Sequence, residues 1–256
     1  MNKLSRLLLP TVFLAWIAPA SAAELIDLPA QHAAYPFVQD AIDKYRLLTP
    51  YPDRTFRGKR PFTRYEMAKA LQHLLAYFMT DMGLRFSAER EGYLTYRGFL
   101  QENGGDLIPR HWAATAIQQV VSYGWMSGYP DLTFRGQNKV SRYELASQLK
   151  RIIDKLGVLP TLVGSPSYER IFVGRGGDVP PQHWSHAALR EVISRGLMTP
   201  DERGRFRGDE PATQYDLAIG LVSLARLVEK EKPVSLPKPS ASPHPTRTGD
   251  RFNGRR

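Results

Sequence analysis

The sequence predicts a mainly α-helical protein built from three similar helix–turn–helix units that share one core. The first observation is a phrase written three times. FRGKRPFTRYE starts at Phe56, FRGQNKVSRYE at Phe134 and FRGDEPATQYD at Phe206, with spacings of 78 and 72 residues. Repetition at a fixed period marks a supersecondary unit that cannot bury its apolar face alone. The second observation is that apolar residues around each phrase recur at helical spacing. With 42% hydrophobic and 23% charged residues, the chain has ordinary material for a packed core.

Residues 1–22 read as an export signal. Lys3 and Arg6 give a positive start, LLLPTVFLAWIAP a short apolar run, and Ala20-Ser21-Ala22 a small-residue cleavage site. That run is short for a spanning helix, and no later stretch is long and apolar enough to cross a bilayer. The mature chain is therefore expected to begin near Ala23, in the cell envelope, at the surface or in a periplasm. The chain has no cysteine, which excludes disulfides, thiolate zinc or iron–sulfur ligation, a cysteine nucleophile and lipoprotein-type lipid attachment. Net charge is +10. For an exported protein this suggests anionic partners such as wall polymers, lipopolysaccharide or lipid headgroups rather than nucleic acid.

The units are expected at 27–78, 106–153 and 178–228. Each opens with an aspartate followed five residues later by a histidine: Asp27 and His32, Asp106 and His111, Asp178 and His183. A helix follows. In the second unit Trp112, Ala116, Ile117, Val120 and Val121 make one stripe, and in the third Trp184, Ala188, Leu189, Val192 and Ile193 do the same. Gly124 and Gly196 suit the C-terminal cap, where a left-handed backbone is easiest for glycine. A turn comes next, TPYPDRTFRG in the first unit and SGYPDLTFRG in the second, in which proline fixes one torsion and aspartate accepts from N–H groups just beyond it.

The second helix starts inside the repeated phrase. Thr63 with Glu66, Ser141 with Glu144 and Thr213 with Asp216 fit an N-cap and an acid three residues on, each bonding the other's backbone N–H, the aspartate being the shorter and weaker partner. Ala68, Ala146 and Ala218, then Leu71, Leu149 and Leu221, continue the buried face. The connections at 79–105 and 154–177 hold apolar and aromatic residues, so some structure of their own is expected there. The segment 229–256 is rich in proline, serine and basic residues, and is expected to be a disordered, partly polyproline-like tail.

Together these pieces resemble the S-layer homology module: Asp-x-x-x-x-His-Trp-Ala, a helix, Gly-Tyr-Pro-Asp-x-Thr-Phe, then Ser/Thr-Arg-x-Glu opening a second helix. The resemblance implies three modules in a pseudo-threefold helical spindle. It also implies non-covalent attachment to cell-wall polysaccharide, often one carrying acidic pyruvyl ketals. Some positions depart from the pattern. Ala33 stands where the other units have Trp112 and Trp184, Gln214 replaces the arginine, PDERGRF replaces the Tyr-Pro-Asp turn, and Gly58, Gly136 and Gly208 stand where the family has proline.

Arg64 and Arg142 are the leading candidates for ligand contact. An arginine at a helix mouth lies near free N–H groups and the positive dipole end, and its fork matches a carboxylate. On the residues alone, pairing with Glu66 or Glu144 stands level with this; the resemblance favours binding. Trp112 and Trp184 could offer a flat face to a sugar, although a tryptophan at the start of an amphipathic helix is expected in the core. Tyr65, Tyr143 and Tyr215 are expected to pack with exposed hydroxyls. Asp53 and Asp131 are expected to close turns, with a hydroxyl-rich ligand as their other use. Arg57, Arg135 and Arg207 read as structural or generally attractive to acids. His32, His111 and His183 could meet on a threefold axis as metal ligands, but no further ligand type recurs beside them, and no metal or cofactor is expected.

The sequence contains no Gly-x-Ser-x-Gly elbow, no His-Glu-x-x-His and no phosphate-binding glycine loop, so no enzyme activity is expected. The expected function is binding of an anionic wall polysaccharide or peptidoglycan-linked polymer. The rivals are a scaffold that binds other envelope proteins, and adhesion of the basic tail to lipopolysaccharide or lipid.

Overall fold

The computed structural model describes residues 24–158 and 165–231. The expected export signal and nearly all of the expected tail lie outside the described residues. The described chain is helical, its β-type pairing limited to isolated bridges. The first helices of the three units are α1 (Tyr35–Gln39), α4 (Ala114–Ser122) and α7 (His186–Ser194). The second helices are α2 (Arg64–Thr80), α5 (Arg142–Lys155) and α8 (Gln214–Glu231). The connections carry α3 (Arg90–Phe99) and α6 (Pro166–Glu169), each followed by a short 3₁₀ turn.

The second helix of each unit packs on the first helix of the next: α2 on α4, α5 on α7, and α8 back on α1. The three units therefore close into a ring with one continuous core. Near the centre the strand-like entries to the second helices touch in turn, through bridges Thr63–Lys139, Ser141–Pro211 and Pro61–Thr213. Phe62, Val140 and Ala212, wholly buried, come together there: Val140 N–H donates to Phe62 C=O at 3.2 Å and Ala212 N–H to Val140 C=O at 2.8 Å. The alanines and leucines expected on the second helices are buried, including Ala68, Ala146, Ala218 and Leu149.

Each turn holds an arginine in the left-handed region: Arg57 at φ 55°, Arg135 at 51° and Arg207 at 53°. Such a backbone is unfavourable for a side chain with a Cβ. The opening aspartate of the same unit holds it in place. Asp106 accepts from the N–H groups of Phe134 and Arg135, both at 2.7 Å, and Asp27 and Asp178 repeat the pair of bonds in their own units. The histidine five residues on accepts a backbone N–H with Nδ1, from Ala34, Ala113 or Ser185. His32, His111 and His183 then stack on Tyr215, Tyr65 and Tyr143 respectively, each from the preceding unit of the ring. They lie at three separate junctions.

Those tyrosines explain the glycine that follows each Phe-Arg pair. The ring of Tyr65 lies against Gly136, Tyr143 against Gly208 and Tyr215 against Gly58, so close that any Cβ there would overlap the ring. Two expectations are corrected here. The expected tail start at 229–231 instead completes α8, because Glu229 accepts from the hydroxyls of Tyr45 at 3.0 Å and Tyr77 at 2.5 Å. Trp112 and Trp184 are not core: they are 59% and 68% exposed. The helices begin after them, at Ala114 and His186, so the buried stripe starts at Ala113 and Ser185 while each indole faces outward.

A prediction follows from the tyrosine–glycine contact. Gly136→Ala should destabilise by about 1–3 kcal/mol and lower the thermal midpoint by roughly 2–12 °C, read by far-UV circular dichroism. Gln137→Ala, one residue on at an exposed site, should leave the midpoint nearly unchanged.

Candidate functional site

The junctions between units bring the candidate side chains together. At the first junction Arg64, at the start of α2, reaches the turn of the second unit. Its Nε donates to Phe134 C=O at 2.9 Å and its Nη2 to Ser127 C=O at 2.7 Å, and the guanidinium lies 5.1 Å from the Tyr129 ring centre and 4.8 Å from that of Phe134. Arg64 is 9% exposed, and burial pulls its guanidinium pKa down. At the second junction Arg142 makes the same approach: Nε to Phe206 C=O and Nη2 to Thr199 C=O, both at 2.9 Å, with Nη1 paired to Asp216. Its side chain is 14% exposed and lines an open cleft of about 440 Å³. At the third junction Gln214 takes the arginine's place beside the turn of the first unit.

All three capping boxes form. Thr63 N–H donates to Glu66 at 2.7 Å and Glu66 N–H to Thr63 Oγ1 at 3.3 Å, and Ser141 with Glu144 does the same at 2.7 and 3.2 Å. Thr213 and Asp216 match them at 2.8 and 3.2 Å, so the shorter acid completes the box while its other oxygen holds Arg142. The helix-mouth amides expected to be free are occupied. Arg64 N–H donates to Asn138 C=O and Tyr65 N–H to Gly136 C=O; Arg142 and Tyr143 donate to Glu210 and Gly208 in the same way. Neither arginine pairs with the acid of its own box. Glu66 instead takes Arg60, at 2.5 Å.

Asp53 and Asp131 close their turns. Asp131 accepts from Thr133 Oγ1 at 2.6 Å and N–H at 3.1 Å, and pairs with Arg135 at 2.6 Å; Asp53 repeats this with Thr55 and Arg57. Arg57 and Arg135 also lie over the rings of Tyr51 and Tyr129, at 4.1 Å in both cases. The third unit is rebuilt. Asp201 N–H donates to Arg205 C=O as Tyr129 N–H does to Thr133 C=O, so Asp201 occupies the tyrosine's place. Its carboxylate pairs with Arg207, at 2.9 Å, where the other units place an aromatic face.

Sequence reasoning missed a second set of groups. An open cavity of about 240 Å³ at the third junction is bordered by Tyr51, Arg60, Lys69, His73, Trp112 and Gln214. The signal was legible in the repeated phrase. At one pair of positions the first unit has Lys59-Arg60, the second Gln137-Asn138 and the third Asp209-Glu210.

The S-layer homology domain model matches this chain three times, at 27–68, 105–146 and 177–218. The chain belongs to the S-layer homology family. Two relatives come from Acetivibrio thermocellus. Cell surface glycoprotein 1 is 27% identical over 187 residues, 73% of this chain and 7% of the relative. The cellulosome-anchoring protein is 28% identical over 166 residues, 62% of this chain and 31% of the relative. Outer membrane protein SlpA of Deinococcus radiodurans is 45% identical over 51 residues, 20% of this chain and 4% of the relative. The S-layer homology chain thus spans a minor part of the length of these relatives. Among its described residues no helix is long and apolar enough to cross a membrane.

The turn carboxylates titrate low. Asp53 and Asp131 are each held at about 2, first by the threonine hydroxyl and then by the arginine; Asp201 is held at about 2, chiefly by the Arg205 N–H. A depressed carboxylate supports the fold above its unfolded value near 4 and loses that support as pH falls through the folded value. The turns should therefore stay locked at pH 4 and loosen toward pH 2. In an NMR carboxyl titration, Thr133→Val should move the Asp131 midpoint up from about 2 toward 3.8 and leave Asp53 where it is.

Proposed function

We propose that the chain is a non-catalytic cell-envelope protein that binds an anionic wall polysaccharide, such as a pyruvylated one, through the grooves between its units. The observation that carries this is the repeated junction itself. A cation from one unit is laid against the turn of the next, and at the second junction it borders an open cleft. Family membership supports an anchoring role, as do relatives whose names place them at a cell surface, in cellulosome anchoring and in an outer membrane.

Arg142 is the contact residue of choice. A ligand carboxylate would replace Asp216 on a guanidinium already positioned by two backbone carbonyls, so little ordering is required on binding. Arg64, sealed against Phe134 and Ser127, shapes its junction from inside. Asp53 and Asp131 present turn hydrogen-bonding groups at the surface, and the exposed indoles of Trp112 and Trp184 suit the apolar face of a sugar ring.

The test is retention of the full chain on purified wall sacculi, before and after depyruvylation of the attached polymer. Arg142→Gln copies the residue the third unit already uses, so folding should persist. Loss of one charge-assisted contact, about 1.5–3 kcal/mol, should weaken retention roughly tenfold or more. Retention that ignores both the substitution and stripping of the polymer would favour a protein ligand and sink the glycan reading.

A further inference from the structure

The three units serve as controls for one another, because a residue needed only for the shared fold should recur in all of them. Four cations on or beside α2 fail that test. Arg60 corresponds to Asn138 and Glu210, and Lys69 to Ser147 and Ile219. Lys44 corresponds to Ser122 and Ser194, and Arg46 to Gly124 and Gly196. Arg46 carries the clearest signature. Its backbone is left-handed, φ 53°, at the position where the other units place glycines at 69° and 71°. The first unit thus keeps an exposed arginine in a conformation that glycine would adopt without strain.

The backbone leading to it is altered as well. Twenty-four residues separate His32 from Phe56, while twenty-three separate His111 from Phe134 and His183 from Phe206. The extra residue is taken up as a π-helical turn, Asp40–Lys44, continuing α1. Such insertions concentrate at functional sites. This one sets Lys44 and Arg46 on the border of a second open cavity, of about 350 Å³, with Tyr77, Thr80 and Asp81.

The two cavities lie one after the other along α2. Glu66, Lys69, Ala70 and His73 border the first, and His73, Ala76, Tyr77 and Thr80 the second, all on one face of α2. His73 is common to both. From Glu66 to Thr80 the helix rise gives a path of roughly 21 Å. Arg60, Lys69 and the exposed Trp112 stand at one end, Lys44 and Arg46 at the other. Acids are present too: Glu66 borders the first cavity and pairs with Arg60, Asp81 borders the second, and Glu229 pairs with Lys44. Lys69 bonds only the neutral Gln72 at its ammonium, and Arg46 makes no ion pair among the described residues. The chain's own C-terminal segment is a poor occupant, since after Glu231 it carries six Lys or Arg and one Asp.

We propose that this face of α2 is a track for an extended acidic polysaccharide, engaging carboxylates at both ends at once. The track rests on the wall-glycan reading above and adds that the first unit recognises chain length as well as acidity. The probe is a ladder of galacturonate oligomers, from monomer to octamer, titrated calorimetrically into the full chain at low salt, with neutral dextran oligomers as control. Affinity should climb with length. Arg46→Gly should lower affinity for the octamer about fivefold, as loss of one partly exposed charge contact implies, and spare the dimer. Lys69→Gln and Trp112→Ala should weaken every length. The thermal midpoint of Arg46→Gly should not fall, which separates a ligand contact from a fold contact.

Equal affinity for monomer and octamer, no binding of any oligomer, or an octamer affinity untouched by Arg46→Gly overturns the track. So does binding that disappears only when the Lys and Arg after Glu231 are replaced by Gln. Wild-type retention on sacculi alongside any of these leaves anchoring standing without the track. Loss of that retention removes the anchoring reading itself.

Discussion

Three carboxylates, each gripping two consecutive backbone N–H groups, set the geometry from which everything else is built. Asp27, Asp106 and Asp178 fix an arginine in the left-handed region, and that reversal aims the following segment at the centre of the molecule. Without the reversal, Phe62, Val140 and Ala212 could not converge, nor could each second helix begin against its neighbour's turn. The carboxylate contacts are charge-assisted and partly shielded, the regime in which hydrogen bonds are strongest. The junction grooves are a by-product of this geometry.

Shared geometry leaves room for divergence at the surface. The second unit keeps a tyrosine and an aspartate around its turn, whereas the third folds both roles into Asp201 and so gives up its aromatic face. The charge pair after the left-handed arginine runs from basic to neutral to acidic around the ring. A near-symmetric fold has thus become a chemically asymmetric surface. An open cavity with a largely apolar lining lies where the arginine common to the other junctions is replaced by Gln214.

The helices, caps and core were legible because each rests on local chemistry. Thr63 with Glu66 and Ser141 with Glu144 mark a helix start because an apolar run follows them, with Ala68 or Leu149 at helical spacing. What the sequence could not disclose is anything that depends on the partner across a junction. The occupied amides of Arg64 and Tyr65, the diversion of Glu66 to Arg60, and the tyrosine rings that demand Gly58, Gly136 and Gly208 all arise between residues far apart in the chain. The tryptophans misled for a local reason. His111 accepts the Ala113 N–H, which turns the backbone so that Trp112 leaves the stripe its spacing suggested.

The return of α8 to the first unit has a kinetic meaning. Tyr45 and Tyr77 meet Glu229 across separations of 184 and 152 residues, and Asp40 meets Arg226 across 186. Contacts of such high order close slowly. The first unit therefore cannot finish its own interior until α8 has been made. Closure of the ring waits for that helix, and until then Tyr45, Tyr77 and Asp40 lack the partners that α8 supplies.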